Sequence, residues 1–360
     1  MTPILAILRE SWLSLRSQGL FKIAMGLNLL VIIGFASISF DAGGVSIFFG
    51  LGHIESDFVV AGSPFATLVY LGIFSLFIVN IWLAWASAII ALLSTSSIVP
   101  NFVSQGAVEL TVSRPVSRTT IFLTKYLGGL LFVFVQVGVF AIGAFFTVGL
   151  RIGIWDPTIF LAVPLVTLFF SYLFCVNVLV GVITRSTLTA LIVTMAFWFT
   201  TFGLRSADHI ATTIAFTQEA KIEKLDAKIS DALATGSLGD PDESVQDMQA
   251  RLLQLQIDLE SIHAWTGPFR VVRWFLPETA ETVSLLKRAL EQDATTTFEE
   301  ILSGRIFESD STPKKPHEVA EVKMQERMLA IPWWWTIGKS LIFEVVILGF
   351  AVWIFRRRDY

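Results

Sequence analysis

The sequence predicts an all-α membrane protein with six transmembrane helices, an N-terminal interfacial helix and a largely helical extracytoplasmic insert between helices 5 and 6. Of its 360 residues 54% are hydrophobic and only 16% are charged, too few charges to surround a soluble protein of this length. About twenty apolar residues cross a bilayer as a helix. Six segments meet this requirement, at residues 22–40, 66–93, 120–149, 158–183, 187–204 and 333–355.

The N-terminal stretch "TPILAILRESWLSLRSQ" is predicted to lie along the membrane surface. Its apolar residues recur at helical spacing, which is the pattern of an amphipathic helix at an interface. Arg9 and Glu10 interrupt the stretch, and it contains no small-residue cleavage site. It therefore lacks the pattern of a secretory signal peptide.

The basic residues predict how the spans are oriented. Ten Lys and Arg residues lie before the first span, between the second and third, between the fourth and fifth, or after the sixth. The short connections on the opposite side carry mainly acidic residues, such as Asp41 and Asp156. Because basic residues concentrate in cytoplasmic loops, both termini are expected in the cytoplasm. Residues 1–205 would form the first part of the membrane domain.

Residues 206–332 differ in composition and are predicted to form an extracytoplasmic domain. They contain 22 acidic and 13 basic residues, a net charge of −9. Apolar residues recur at spacings of three and four on both sides of a Gly- and Pro-containing stretch, which predicts a coiled-coil helical hairpin at about 210–263. Asp240 and Glu243, with Pro241, are expected to start its second helix. The hairpin either packs only on itself or also binds an extracytoplasmic protein.

Aromatic residues mark the end of this insert and the start of the last span. The stretch from Trp265 to Leu276 is too short to span a membrane and is predicted to be an interfacial or re-entrant helix. The polar stretch that follows, at 293–319, is expected to be a loop. Trp333, Trp334 and Trp335 fit an aromatic belt. Residues 333–360 would then form the sixth span and a basic cytoplasmic tail.

Enzymatic motifs are scarce in the sequence. The four histidines are far apart and show no metal-binding spacing, so no metal site is expected. The triplet Gly338-Lys339-Ser340 resembles the end of a phosphate-binding loop, but Trp333 stands where that motif requires glycine. We therefore expect no catalytic residues and no ATPase site in this chain.

Two charged residues lie in the last predicted span. A charged side chain near the bilayer centre is costly, so it normally faces protein or water. Glu344, with Lys339 five residues earlier, is therefore a candidate for a translocation path. The alternative is a structural hydrogen bond between Glu344 and a polar residue of another span. The candidate partners are Asn28, Asn80, Gln136 and Asn177.

The stretch "LTVSRPVSRTTIFLTKYLGG", at residues 110–129, interrupts the apolar pattern between the second and third spans. Arg114 precedes Pro115, and a residue before proline is pushed out of helical geometry. We expect a short helix before this break and a new helix after it, capped by Ser117. Composition alone is equally compatible with a plain turn anchored by basic residues.

The longer stretch "QGAVELTVSRPVSRTTIFLTKYLGG" resembles the signature of ABC-2 type permeases, the transmembrane subunits of prokaryotic ATP-binding-cassette transporters. In that signature an acidic residue precedes an "L-S-x-P-[VI]-S-R" turn. Two features depart from it, since Ala107 replaces the usual threonine and Pro100-Asn101 stand where acidic residues are common. The matching residues are Gly106, Glu109, Ser113, Pro115, Ser117, Arg118 and Lys125.

The resemblance implies a coupling helix at about 98–115 that docks on a separate cytoplasmic ABC ATPase subunit. That partner would bind ATP and Mg, so this chain would hold no cofactor. A second permease subunit, in a homodimer or heterodimer, and membrane lipid would be the other partners, with no nucleic acid. The expected location is the prokaryotic inner membrane. The implied coupling residues are Gly106, Glu109, Arg114, Pro115 and Arg118.

The implied function is a permease that couples ATP hydrolysis by its partner to export or to extracytoplasmic mechanical work. A secondary transporter or channel driven by an ion gradient is the alternative. That class favours internal repeats and several ionisable groups within the membrane, whereas this sequence has one clear case, Glu344.

Overall fold

The computed structural model describes residues 13, 19–104, 117–235, 244–291 and 316–358. Six helices among these described residues are long and apolar enough to cross a membrane, in agreement with the predicted number of spans. They are numbered here as span 1, Gly19–Ala36; span 2, Pro64–Val103; span 3, Arg118–Ile152; span 4, Pro157–Thr184; span 5, Thr187–Ala234; and span 6, Trp333–Arg357. Apart from Leu13, the predicted interfacial helix lies outside the described residues.

Span 2 is composed of several helical segments. It consists of Pro64–Ile73, a π-helical segment Phe74–Ala86 and Ser87–Thr95, and it ends in a helix described over Ile98–Ser104, which we call the elbow helix. Ser63 caps the first segment by accepting a hydrogen bond from the Ala66 amide. π-Helical turns are rare and occur mostly as single-turn bulges. A π-helical stretch as long as Phe74–Ala86 is therefore unusual.

Spans 1 and 2 are joined by a three-stranded antiparallel sheet that the sequence did not predict. Its strands are β1, Ser39–Asp41; β2, Gly44–Ile47; and β3, Gly52–Glu55. Ser46 of β2 lies opposite Ser39 of β1 and His53 of β3. Span 1 ends at Ala36, before the predicted residue 40, because the chain enters this sheet at Ser39.

The described residues divide by contacts into two compact units. The first contains Met1–Trp198, Glu278–Phe307 and Ile337–Tyr360, and the second contains Phe199–Pro277 and Glu308–Thr336. The helix Thr187–Thr235 therefore contributes residues to both units.

The first unit contains a continuous apolar core formed by the spans. Phe174 of span 4 is fully buried and stacks on Tyr126 of span 3 and on Phe170, with ring centroids 5.3 Å apart in each case. Gly129 of span 3 faces the same ring, since a Cβ atom built on it would lie 2.5 Å from Phe174 Cε1. Spans 3 and 4 are in close contact here because this position lacks a side chain.

A further helix of the first unit, Thr279–Glu291, packs against span 4 and the π-helical segment of span 2. Its Thr282 and Leu286 are almost completely buried. The sequence pattern places these residues in the acidic insert at 206–332, because the helix is amphipathic and too polar to resemble a span. Contacts show that one face of it belongs to the core of the spans.

The second unit contains two helices that contact each other. Leu225 and Ile229 of the helix Thr187–Thr235 pack against Met248 of the helix Val245–Trp274. The second helix is capped by Ser244, whose side chain accepts a hydrogen bond from the Asp247 amide. Asp240, Pro241 and Glu243, which were expected to start this helix, lie outside the described residues.

The aromatic stretch from Trp265 is not a separate element, because the helix Val245–Trp274 continues through it with Pro268 inside. Arg273 near its end forms an ion pair with the buried side chain of Asp208. The described part of the second unit also includes the helix Pro316–Ala330. Most of the predicted polar loop at 293–319 lies outside the described residues.

The contact between Gly129 and Phe174 gives a prediction for stability. We expect Gly129→Val to destabilise the protein by about 1–3 kcal/mol, because added atoms in a filled core force side chains to move. Gly138→Val in the same span is the control, since a Cβ there meets nothing within 4 Å. Thermal unfolding in detergent should show a lower Tm for the first variant only. Equal Tm values for the two variants would contradict the packing described.

Candidate functional site

The elbow helix lies against the ends of several spans. Val99, Phe102 and Val103 are buried, and the helix packs on spans 3 and 4. A Cβ atom on Gly181 of span 4 would lie 3.0 Å from Pro100 Cγ, so the two backbones approach closely. Pro100 is tolerated in the first turn because a helix leaves the amides of that turn without internal partners.

Aromatic rings connect the elbow helix to spans 3 and 6. Phe355 of span 6 packs against Phe102 and against Phe122 of span 3, with ring centroids 6.3 and 5.3 Å apart. The Lys125 ammonium of span 3 lies 5.6 Å from the centroid of the Phe102 ring, within range of a cation–π interaction. Phe102 therefore contacts both neighbouring spans directly.

Basic side chains bind backbone carbonyls at this same end of the spans. Arg118 Nη1 donates to the Arg358 carbonyl at 3.3 Å. Arg358 Nη1 donates in turn to the carbonyls of Val182 and Ile183 of span 4, at 2.7 and 3.0 Å. These carbonyls lie in the last turn of span 4, where a helix leaves its acceptors unpaired. The arginines thus link the start of span 3 to the ends of spans 4 and 6.

The predicted coupling residues are only partly described. Gly106, Glu109, Arg114 and Pro115 lie outside the described residues. The expected helix at about 98–115 is described only over Ile98–Ser104. Arg118 is the first residue of span 3. The predicted cap is confirmed, because the Ser117 side chain accepts a hydrogen bond from the Thr120 amide at 3.1 Å.

A second polar cluster lies within the spans around Glu344, which is 8% exposed. Its Oε1 accepts a hydrogen bond from the Tyr126 hydroxyl of span 3, and its Oε2 accepts one from Ser171 Oγ of span 4, both at 2.7 Å. The Tyr126 hydroxyl also lies 3.2 Å from the Ser171 carbonyl. The carboxyl group therefore joins span 6 to spans 3 and 4.

These partners differ from the four amide side chains suggested by the sequence. Asn28 Oδ1 accepts instead from Trp82 Nε1 at 3.0 Å, and Gln136 Nε2 donates to Ser87 Oγ at 3.3 Å. A signal for one true partner was present, since Ser171 interrupts the apolar stretch "LFFSYLFCV" of span 4. Polar residues isolated in a span commonly bond to other spans.

Lys339 does not share the environment of Glu344. Its ammonium forms an ion pair with Glu278, just before the helix Thr279–Glu291. The neighbouring Ser340 Oγ accepts a hydrogen bond from the Glu278 amide at 2.9 Å. Five residues separate Lys339 from Glu344, which is about 140° around an α-helix, so the two side chains leave span 6 in different directions.

No group of three or more His, Cys, Asp or Glu side chains that could hold a metal ion occurs among the residues that the structure describes. The chemistry offered by the two clusters is hydrogen bonding and packing between helices.

Comparison with known families decides what kind of protein carries these features. The family model for ABC-2 family transporter proteins matches residues 39–360. The chain belongs to the ABC-2 transporter family. No curated protein and no solved structure matches it. The match includes the elbow helix, all of spans 2 to 6 and the acidic insert.

Membership of the ABC-2 family establishes the general role. With its six apolar helices, the chain is an integral multi-pass membrane protein and a permease of an ABC transporter. Such a permease is a membrane transport subunit and not itself an enzyme. The family also implies an ABC ATPase partner in general.

The bonds between Glu344 and the two hydroxyls give a second prediction. Tyr126→Phe should destabilise the protein by about 0.5–1.5 kcal/mol, the usual net contribution of a hydrogen bond. In a double-mutant cycle with Glu344→Leu, which cannot accept this bond, we expect a coupling energy of about 0.5–3 kcal/mol. The measurement is the free energy of unfolding in mixed detergent micelles.

Thr184→Val provides the control for this cycle. Thr184 lies in span 4, as Ser171 does, but its hydroxyl bonds locally to the Val180 carbonyl at 2.8 Å. Its effect should add to that of Glu344→Leu within about 0.5 kcal/mol. If Tyr126→Phe were equally additive with Glu344→Leu, the described contact would not contribute to stability.

Proposed function

We propose that this ABC-2 permease couples ATP hydrolysis by a separate cytoplasmic ATPase subunit to export or to extracytoplasmic mechanical work. The observation that carries the proposal is the elbow helix, which forms the end of span 2 and contacts spans 3, 4 and 6. A partner that binds this helix would act on the ends of all these spans at once. ATP and Mg would be bound by that partner.

The contacts of the elbow helix support force transmission. Its inward side chains are packed among rings and helix backbones, so a displacement is resisted by close-packed atoms and passed on to them. Phe102 would transmit movement to Phe355 and Phe122. The bonds of Arg118 and Arg358 to carbonyls would keep the three span ends together during that movement. The result would be a rigid-body shift of a helix group, a common form of switching transition.

Glu344 contributes to this proposal through structure. Its carboxyl group joins spans 3, 4 and 6, the same three spans that meet at the elbow helix. We therefore propose that it holds these spans as one body. The contacts favour this anchoring role over a place on a translocation path. Lys339, paired with Glu278, would anchor the other end of span 6 to the helix Thr279–Glu291.

The rest of the proposed assembly follows from the family and from the charges. Two permease subunits, as a homodimer or heterodimer, would move against each other when two ATPase subunits close. The basic residues beside the elbow helix, including Arg118 and Arg358, favour a cytoplasmic position for this end of the spans. We therefore propose a prokaryotic inner-membrane protein with both termini in the cytoplasm. The acidic insert would then face outward, with a candidate extracytoplasmic protein as its partner.

Co-purification tests the ATPase partner. The chain would be expressed with its genomic neighbours and purified in mild detergent, both as wild type and as Arg114→Ala/Arg118→Ala. We expect a stoichiometric ATPase subunit with the wild-type chain, and a loss of about tenfold in affinity for the variant if about 1.4 kcal/mol of docking energy is removed. Lys22→Ala, which removes a basic residue at the start of span 1, is the control.

Two outcomes would contradict the ATPase proposal. One is a chain that purifies without an ATPase subunit, and the other is an arginine variant that retains the same amount of it as Lys22→Ala. In that case, gradient-driven transport in vesicles that Glu344→Gln abolishes would support the alternative, a secondary transporter or channel.

Transmission through Phe102 is a separate prediction. Phe102→Ala removes contacts to two aromatic rings and one ammonium group, interactions worth about 0.5–1.5 kcal/mol each. We expect the ATPase subunit still to bind, while the stimulation of its ATP hydrolysis by the permease falls. Phe134→Ala, at an exposed phenylalanine of span 3, should leave that stimulation unchanged. Equal hydrolysis rates in the two variant complexes would show that Phe102 transmits nothing.

A further inference from the structure

The turn between β2 and β3 exposes a group of large apolar side chains. We call this turn, Phe48–Leu51, the apolar tip. Phe48 and Phe49 are 64% and 67% exposed, and Leu51 is 91% exposed. The surrounding sequence "SIFFGLG" carries no charge. Contiguous exposed apolar surface of this kind normally marks a site of contact with a protein or a membrane.

The backbone of the apolar tip is held in an unfavourable conformation. Phe48 and Phe49 have φ angles of 53° and 57°, in the left-handed region that bulky residues avoid. Glycine would adopt these angles at no steric cost. Phenylalanine at two adjacent strained positions points to a function of the outward rings, because folding of the turn does not require aromatic residues there.

One hydrogen bond fixes the level of the tip relative to the membrane. The Phe49 amide donates to the Ser37 carbonyl at 3.2 Å, directly after the end of span 1 at Ala36. The described part of span 1 has 18 residues, a length of about 27 Å at 1.5 Å per residue, against about 30 Å of hydrocarbon in a bilayer. The last turn of span 1 must therefore lie at the hydrocarbon boundary, and the tip lies beside it.

A charged group marks the same level. Arg151, in the last turn of span 3, donates from Nε to the Ala36 carbonyl at 2.7 Å. A guanidinium group belongs at the headgroup level. The end of span 1, the arginine and the tip are thus at one depth.

The sheet itself changes polarity along its length. β1 leaves the end of span 1 and runs to Asp41, which pairs with Gly44, and Gly44 pairs with Glu55. The acidic end therefore lies opposite the apolar tip, about 10 Å away for strands of three to four residues. Such an element fits an interface, with acidic groups in water and phenylalanines in lipid.

The sheet is attached firmly to the spans. The Phe40 ring of β1 meets the Tyr70 ring of span 2 edge-on, with centroids 5.9 Å apart. Tyr70 also stacks on Phe35 of span 1 at 4.4 Å. These contacts, together with the bond between Phe49 and Ser37, prevent the sheet from turning its tip away from the boundary.

We propose that the apolar tip inserts into the boundary between lipid headgroups and acyl chains and anchors the connection between spans 1 and 2 in the membrane. Phe48, Phe49 and Leu51 are the inserting residues. This proposal is the same whichever side of the membrane the sheet lies on. It does not depend on coupling to an ATPase, so it goes beyond the proposed function.

Spin labelling in vesicles tests this anchor. Cys175 is the single cysteine and is buried, so a Cys175→Ala background allows labels at Phe49→Cys and Leu51→Cys. Leu51 has an ordinary φ of −70°, which makes its variant the safer for folding. The exposed Asp57→Cys is the control. The full chain is reconstituted in phosphatidylethanolamine and phosphatidylglycerol vesicles, and label collisions are measured with oxygen and with a water-soluble nickel chelate.

At positions 49 and 51 we expect collisions with oxygen to exceed those with nickel several-fold, and the reverse at position 57. Labels at 49 and 51 that collide with nickel as often as the label at 57 would place the tip in water and overturn the proposal. Labels that are immobilised and shielded from both reagents would also overturn it, because the tip would then be covered by protein, such as a second copy of the chain.

Discussion

Helix ends at a membrane boundary leave backbone carbonyls that neither the helix nor the hydrocarbon can satisfy. This protein meets the requirement with side chains from neighbouring spans. Arg358 donates to the last turn of span 4, and Arg151 donates to the last residue of span 1. Each bond satisfies an acceptor and also joins two spans. The arrangement of the helices therefore depends on the way their ends are capped.

Span 3 contributes an arginine to such a bond at each of its two ends. At its first residue, Arg118 binds the chain that follows span 6. In its last turn, Arg151 binds span 1. Between them, Tyr126 donates to Glu344 of span 6. Span 3 is thus bonded to span 6 near its start and to span 1 near its end.

Much of this architecture could be predicted from the sequence, because the bilayer imposes length and composition on each span. Ser117 was also readable as a cap, since capping depends on residues three positions apart. The sheet was missed because its strands have only three or four residues, too few to show a clear alternating pattern. The helix Thr279–Glu291 was missed because only one face of it is apolar.

The contacts of the candidate site could be predicted less well from the sequence. Tyr126 and Glu344 are separated by 218 positions, and no periodicity relates residues so far apart. The sequence showed that Glu344 needed a polar partner, because an unpaired carboxyl group in a span is costly. It did not show which one, since a hydroxyl and an amide side chain serve equally well. The contact of Phe102 with Phe355 was hidden for the same reason, since Phe355 lies near the far end of the sequence.

The elbow helix is held in place by the spans, because Val99, Phe102 and Val103 in its described part, Ile98–Ser104, are buried against them. A helix that depends on its surroundings in this way cannot keep its position when those surroundings rearrange. Coupling free energies are reciprocal, so under the proposed function a partner that shifted the elbow helix would shift the spans. A load that rearranged spans 3, 4 and 6 would in turn alter the surface offered to that partner.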